Sequence, residues 1–124
     1  MRKTLIGLLA GAASLGLVNK VKGQIEPCLI QQVAGSDSVN GDNFGFAVAV
    51  SNNYAVVGAP LHMHHNNQSG SAYILNRRED GWDVKAELLP LNLEAKKFGR
   101  SVSISDDGDY VVIGSEGPAI AYVF

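Results

Sequence analysis

The 124-residue sequence predicts an all-β chain of short antiparallel strands. Three observations carry that reading: short valine-rich runs recur between turn residues, fourteen glycines accompany 7% aromatics, and no long helical pattern competes. The 46% hydrophobic content is ordinary for a globular domain and excludes a disordered tail.

The N-terminal stretch differs from the rest. Arg2 and Lys3 precede an apolar run from Thr4 to Val18, and Val21-Lys22-Gly23 offers small residues for a peptidase, so residues 1–23 read as a signal peptide. An uncleaved anchor is the alternative, although the run is short for a bilayer span. Removing residues 1–23 leaves six basic against twelve acidic residues, a formal charge of −6. With no basic stripe, nucleic acid and anionic membrane surfaces are unfavoured partners. The single cysteine, Cys28, permits no internal disulfide, and is read as a small buried residue or an intermolecular partner.

An internal repeat organises the remainder. Residues 44–51, opening Phe44-Gly45, align without a gap on residues 98–105, opening Phe98-Gly99, 54 positions on. Residues 54–60 align on 110–115 at 56 positions, and Ala72-Tyr73-Ile74-Leu75 on Ala121-Tyr122-Val123-Phe124 at 49. The offsets change only in loops, as stacked supersecondary units require. Asn52-Asn53 is a two-residue link suited to positive φ, Asp80-Gly81 a second hairpin signal, and Asp106-Asp107-Gly108-Asp109 a longer turn. Strands are therefore expected near 46–51, 54–58, 71–77, 82–89, 100–105, 110–114 and 119–124.

Alternation orders these strands. Trp82, Val84, Ala86 and Leu88 on one face, with Asp83, Lys85 and Glu87 on the other, predict a half-solvated outermost strand. Phe46, Val48 and Val50 oppose Ala47, Ala49 and Ser51, so that strand is uncharged on both faces, with a small-residue face open to close packing. Such a strand belongs near the centre of a radial arrangement of four-stranded sheets; a flat sandwich is the alternative.

Phe44-Gly45 with Gly58-Ala59-Pro60 resembles the FG-GAP repeat of integrin α subunits and many bacterial surface proteins. Ser69-Gly70-Ser71-Ala72-Tyr73, the Trp82 strand and the next Phe98-Gly99 extend the resemblance over residues 24–124, although Gly114-Ser115-Glu116 lacks the Ala-Pro that follows Gly58. The resemblance implies about two four-stranded antiparallel blades of a β-propeller, an incomplete ring. Its organisation would be a signal peptide at 1–23, an initial outer strand and linker at 24–43, a first repeat at 44–97 and a truncated second at 98–124. A fragmentary chain, or one completed by further blades in cis or in trans, is expected.

The family's calcium loops alternate acidic ligands over a longer span than these turns provide. Asp106, Asp107 and Asp109 are the nearest calcium candidates, in a turn too short to wrap an ion. The segment from Leu61 to Asn67 gathers all three histidines. Extended, it would point His62 and His64 the same way as candidate transition-metal ligands, but it supplies no neighbouring carboxylate, so a solvated polar loop is expected. No nucleophile elbow or phosphate loop is present, and no catalytic residue is assigned. Asn67-Gln68-Ser69 is a glycosylation sequon. The function expected is non-catalytic: an extracellular or cell-surface recognition and adhesion module for a protein or glycan ligand. A structural repeat in a larger secreted protein, or an enzyme's accessory domain, is the alternative.

Overall fold

The computed structural model describes residues 31–92 and 94–124, with a compact unit over Val33–Phe124. The signal peptide, Cys28 and residues 24–30 of the initial strand and linker fall outside the described residues. Seven strands form: β1 Ala47–Val50, β2 Tyr54–Ala59, β3 Ser71–Arg78, β4 Gly81–Leu88, β5 Ser101–Ile104, β6 Val111–Ser115 and β7 Ile120–Val123. Each bound lies within one residue of the expected one. There are no helices among the described residues, and none long and apolar enough to cross a membrane.

The strands make two antiparallel meanders, a four-stranded sheet ordered β1-β2-β3-β4 and a three-stranded sheet ordered β5-β6-β7. They are two neighbouring blades of one architecture, and the described residues close no ring. Register repeats between them: Val48 pairs with Val57 as Val102 pairs with Ile113. In both blades the amide of the Phe-Gly glycine donates to the carbonyl of the penultimate residue of the second strand, also a glycine, Gly45 to Gly58 at 3.0 Å and Gly99 to Gly114 at 3.1 Å.

The blades meet face to face. Val56 and Ala72, flanked by Ile74 and Leu88, pack against Phe98, Val111 and Ile113, flanked by Val102, Ile104 and Tyr122. Burying each large apolar side chain in this layer contributes about 1.5–3 kcal/mol. Ala47 and Ala49 lie on the same face of the first blade as Val56, so the small-residue face of β1 is the one turned to the second blade. On the opposite face, Val57, Tyr73 and Leu75 form a second cluster with Val33, Phe44, Trp82 and Val84.

Two expectations need correction. β4 does not keep one apolar face, because a bulge shifts the register between Ile74 and Leu75: Ile74 pairs with Ala86 but Leu75 with Val84. The extra residue, Lys85, carries its ammonium over the Tyr54 ring at 4.8 Å. Trp82 and Val84 therefore join the Leu75 face while Leu88 packs with the interblade layer, and Glu87 pairs with Tyr73. The second correction concerns Asn52-Asn53, which does close a two-residue link, with the Ser51 amide on the Tyr54 carbonyl at 2.8 Å, but not with positive φ. The carbonyls of this link are held from outside, Asn53 by the Arg77 amide at 2.8 Å and Asn52 by the Arg77 guanidinium at 3.3 Å. The turn with two consecutive positive φ values is His65-Asn66 (49° and 65°), between the paired residues His64 and Asn67.

Candidate functional site

The chemistry gathers around Tyr73, fully buried on β3. The linker before Phe44 wraps this ring. Gly35 lies so close that a Cβ there would sit 2.7 Å from the ring carbon bearing the hydroxyl, Phe44 packs on it at 5.3 Å between centroids, and the hydroxyl donates to Asp37 at 2.8 Å. Burial, the hydrogen bond to Asp37 and the charges of Glu87 and Asp37 push the phenol well above its ordinary value, against a smaller opposing effect of Ser71. Tyr73 thus stays protonated and remains a donor.

His62 enters the same space. Its backbone is pinned on both sides, its amide to the Ala59 carbonyl and its carbonyl to the Gly70 amide, both at 3.1 Å. The side chain turns inward to 4% exposure. Nδ1 is 2.8 Å from the buried Asp42 carboxylate, which also accepts the Val39 amide at 2.8 Å. Burial raises the Asp42 carboxyl, but the hydrogen bonds from His62 and Val39, with the His62 charge, carry it below the ordinary carboxylate value. An ionised Asp42 places the Nδ1 proton between the two groups and aims Nε2 at Asp37, 3.4 Å away, and Glu87, 3.6 Å away. Glu87 is itself held by the Ser71 hydroxyl at 2.6 Å.

This is a departure from a solvated histidine loop. His62 and His64 do not act together: His64 stacks on His65 at 4.3 Å in the positive-φ turn. The carboxylates absent from the local sequence come from 25 residues before and 25 after His62, Asp37 in the linker and Glu87 on β4. Asp37, Asp42, Glu87, Ser71 and Tyr73 were not legible as partners of His62. The one available signal was the tyrosine shared by both repeats at the same place on the third strand. Asn67 of the sequon closes the small His64–Asn67 hairpin, and Ser69 is buried.

The acidic turn has its own internal use. Asp107 accepts the Ser105 hydroxyl at 2.5 Å and the Asp109 amide at 3.0 Å, with Gly108 at φ +81°. The Ser105 bond, then the Asp109 amide, lower the Asp107 carboxyl below its ordinary value. A lowered folded value means stability present above the unfolded value of 3.8 and lost as pH falls through the folded one. We therefore expect Ser105→Ala to move the Asp107 titration up toward the ordinary range and to reduce this acid-range dependence, with the Asp109 amide bond keeping the remainder, read by NMR titration of the carboxyl resonances. An unchanged Asp107 titration in that variant would show the hydroxyl to be irrelevant.

The second blade lacks the charged set. At the repeat offset Asp37 becomes Leu91 and Asp42 becomes Lys96. Tyr122, the counterpart of Tyr73, packs on Phe98 at 5.2 Å as Tyr73 does on Phe44, but its buried hydroxyl finds no hydrogen-bond partner among the described residues. The ring position belongs to the blade, and the acidic partners belong to the first blade alone.

Repeated antiparallel blades, each led by a Phe-Gly step that seats against a glycine near the end of its second strand, define a β-propeller-type repeat module. Residues 30–75 match the family model of the FG-GAP repeat, from the linker through β1 and β2 into β3, so this segment is similar to an FG-GAP repeat. No curated protein and no solved structure matches the chain.

Proposed function

We propose that this chain is a non-catalytic recognition module of an exported or surface protein, in which stacked blades present their loops to a protein or glycan ligand. The observation that carries the reading is the seat of one repeat on the next. Phe98-Gly99 enters the first blade between Gly58 and Gly70, with the Phe98 amide on the Ser69 carbonyl at 2.8 Å. Sequence conserved in this manner between copies serves stacking and leaves the loops as the variable part, which suits recognition. The serine and histidine side chains support no acyl-transfer relay in this reading, since Ser71 donates to Glu87 and His62 engages Asp42.

Further blades, in cis or in trans, complete the assembly. The outer face of the first blade is an apolar groove of about 320 Å³ lined by Val33, Val48, Val50, Val57, Leu75 and Trp82. Val48 and Val50 are 68% and 67% exposed there, though their repeat counterparts Val102 and Ile104 pack against a blade. The signal-like residues 1–23 and the family's association with surface proteins support export. The test is expression of the full chain with and without residues 1–23, followed by binding of the exported product to immobilised glycan and extracellular-protein arrays. Export that depends on residues 1–23 and saturable binding to one ligand class is expected. Retention in the cytoplasm, or hydrolytic activity on the arrayed ligands, would overturn the reading; export without any saturable ligand would favour a structural repeat.

A further inference from the structure

We propose that Asp37, His62 and Glu87 form a three-ligand site for a divalent transition-metal ion of the zinc class, with a further coordination position open to solvent on the Asp37 side. Each residue offers one ligand atom, and the three atoms lie within 4.8 Å of one another. The two distances from His62 Nε2, 3.4 Å to Asp37 Oδ2 and 3.6 Å to Glu87 Oε1, are long for charge-assisted hydrogen bonds, which run about 2.7–2.9 Å. They are instead close to a tetrahedral edge, since bonds of about 2.0–2.1 Å to a zinc-like ion set neighbouring ligand atoms about 3.3–3.5 Å apart. One imidazole with two carboxylates is a donor set suited to zinc and its borderline neighbours, and is poorly matched to the all-oxygen preference of calcium.

The surroundings make the same case independently of the ligands. Every ligand has an outer partner that orients it: His62 Nδ1 faces Asp42 at 2.8 Å, Asp37 accepts the Tyr73 hydroxyl through Oδ1 at 2.8 Å, which leaves Oδ2 toward His62, and Glu87 accepts the Ser71 hydroxyl at 2.6 Å. A carboxylate on the far nitrogen of the imidazole is the usual support of a metal-bound histidine, because it fixes the tautomer with the Nε2 lone pair facing the ion. His62, at 4% exposure, supplies a buried and rigid donor, whereas the Asp37 side chain is 49% exposed and opens the site to solvent.

Blade packing does not require this set. The second blade forms the same three strands and the same Phe–Tyr contact with Leu91 and Lys96 at the positions of Asp37 and Asp42. The cluster is also remote in the chain from the Asp106–Asp109 turn.

The full chain, stripped with chelator, is titrated with zinc by calorimetry and by thermal unfolding, with cobalt as an optical probe. We expect stoichiometric zinc binding, a zinc-dependent rise in the unfolding midpoint and the visible absorption of low-coordinate cobalt. Asp37→Asn, a change at a half-exposed side chain, should abolish these with far-UV circular dichroism unchanged, and Glu87→Gln should do the same. Asp42→Asn should weaken zinc about 10–100-fold by releasing the imidazole. His64→Ala with His65→Ala should bind as the unaltered chain does. Absence of zinc binding in the unaltered chain overturns the proposal and leaves His62 as a structural partner of its carboxylates. Binding that survives both Asp37→Asn and Glu87→Gln, or that is lost with His64 and His65, overturns it as well.

Discussion

Gly99→Ala is expected to destabilise the protein by about 3–5 kcal/mol, while Gly45→Ala, at the same place in the preceding repeat, costs about 1–2 kcal/mol. Both glycines hold φ +93°, so the backbone penalty for adding a Cβ is shared. Their surroundings differ. A Cβ on Gly45 meets nothing within 4 Å, whereas one on Gly99 overlaps the Ser71 carbonyl oxygen and comes within 3.1 Å of the Ala59 amide nitrogen and 3.2 Å of Gly58 Cα. These are backbone atoms of the neighbouring blade's central strands, which cannot rotate away as a side chain would. Relief therefore requires separating the blades and loosening the layer of Val56, Ala72, Phe98 and Ile113. Urea unfolding of the two variants isolates the steric part as the difference in midpoint. Equal losses would mean that the blades are not in tight contact at this step.

Phe98→Ala carries the second large effect, about 3–5 kcal/mol, against about 1–2 kcal/mol for Phe44→Ala. Phe98 is fully buried and packs its ring against Tyr122 and Phe124 at 5.2 and 6.1 Å within a layer contributed by both blades. Truncation there leaves a cavity walled by two sheets, neither of which can collapse into it without shifting its own hydrogen-bonded register. Phe44 occupies the equivalent place but is half-buried, covered on one side by Tyr73 and the cluster around it. Since total stability of a domain this size is about 5–15 kcal/mol, the Phe98 variant should sit near the edge of folding. Comparable losses at the two positions would show that the first Phe-Gly is as enclosed as the second.

The repeat explains why so much of the architecture was legible. Period-two alternation, two-residue links and glycine at the turns encode strands locally, and an alignment of the two copies places each strand twice. The bulge at Lys85 was not legible, because Trp82, Val84, Ala86 and Leu88 alternate without a break and only the pairing with β3 shows that one residue is left over. Asn52-Asn53 misled for a related reason: asparagine tolerates positive φ but does not demand it, and Arg77 on another strand holds the link in a different shape. The candidate site was half visible. His62 stood out by composition, but its sequence neighbour His64 is a turn residue, and the groups that matter reach it from the linker and from β4.

Residue type and spacing alone settled the strand class, the two-copy organisation and the Phe-Gly step, since each depends on contacts between near neighbours or on a pattern written twice. Which face each strand shows, how tightly one blade seats on the next, and the company His62 keeps were decided in three dimensions. Each of those rests on groups that sequence holds far apart: Gly99 against Gly58, Lys85 displaced from its pairing, and one imidazole between carboxylates 25 residues to either side. Folding brings them together because the blades must bury their apolar faces, and the polar groups then take up the positions that burial leaves them.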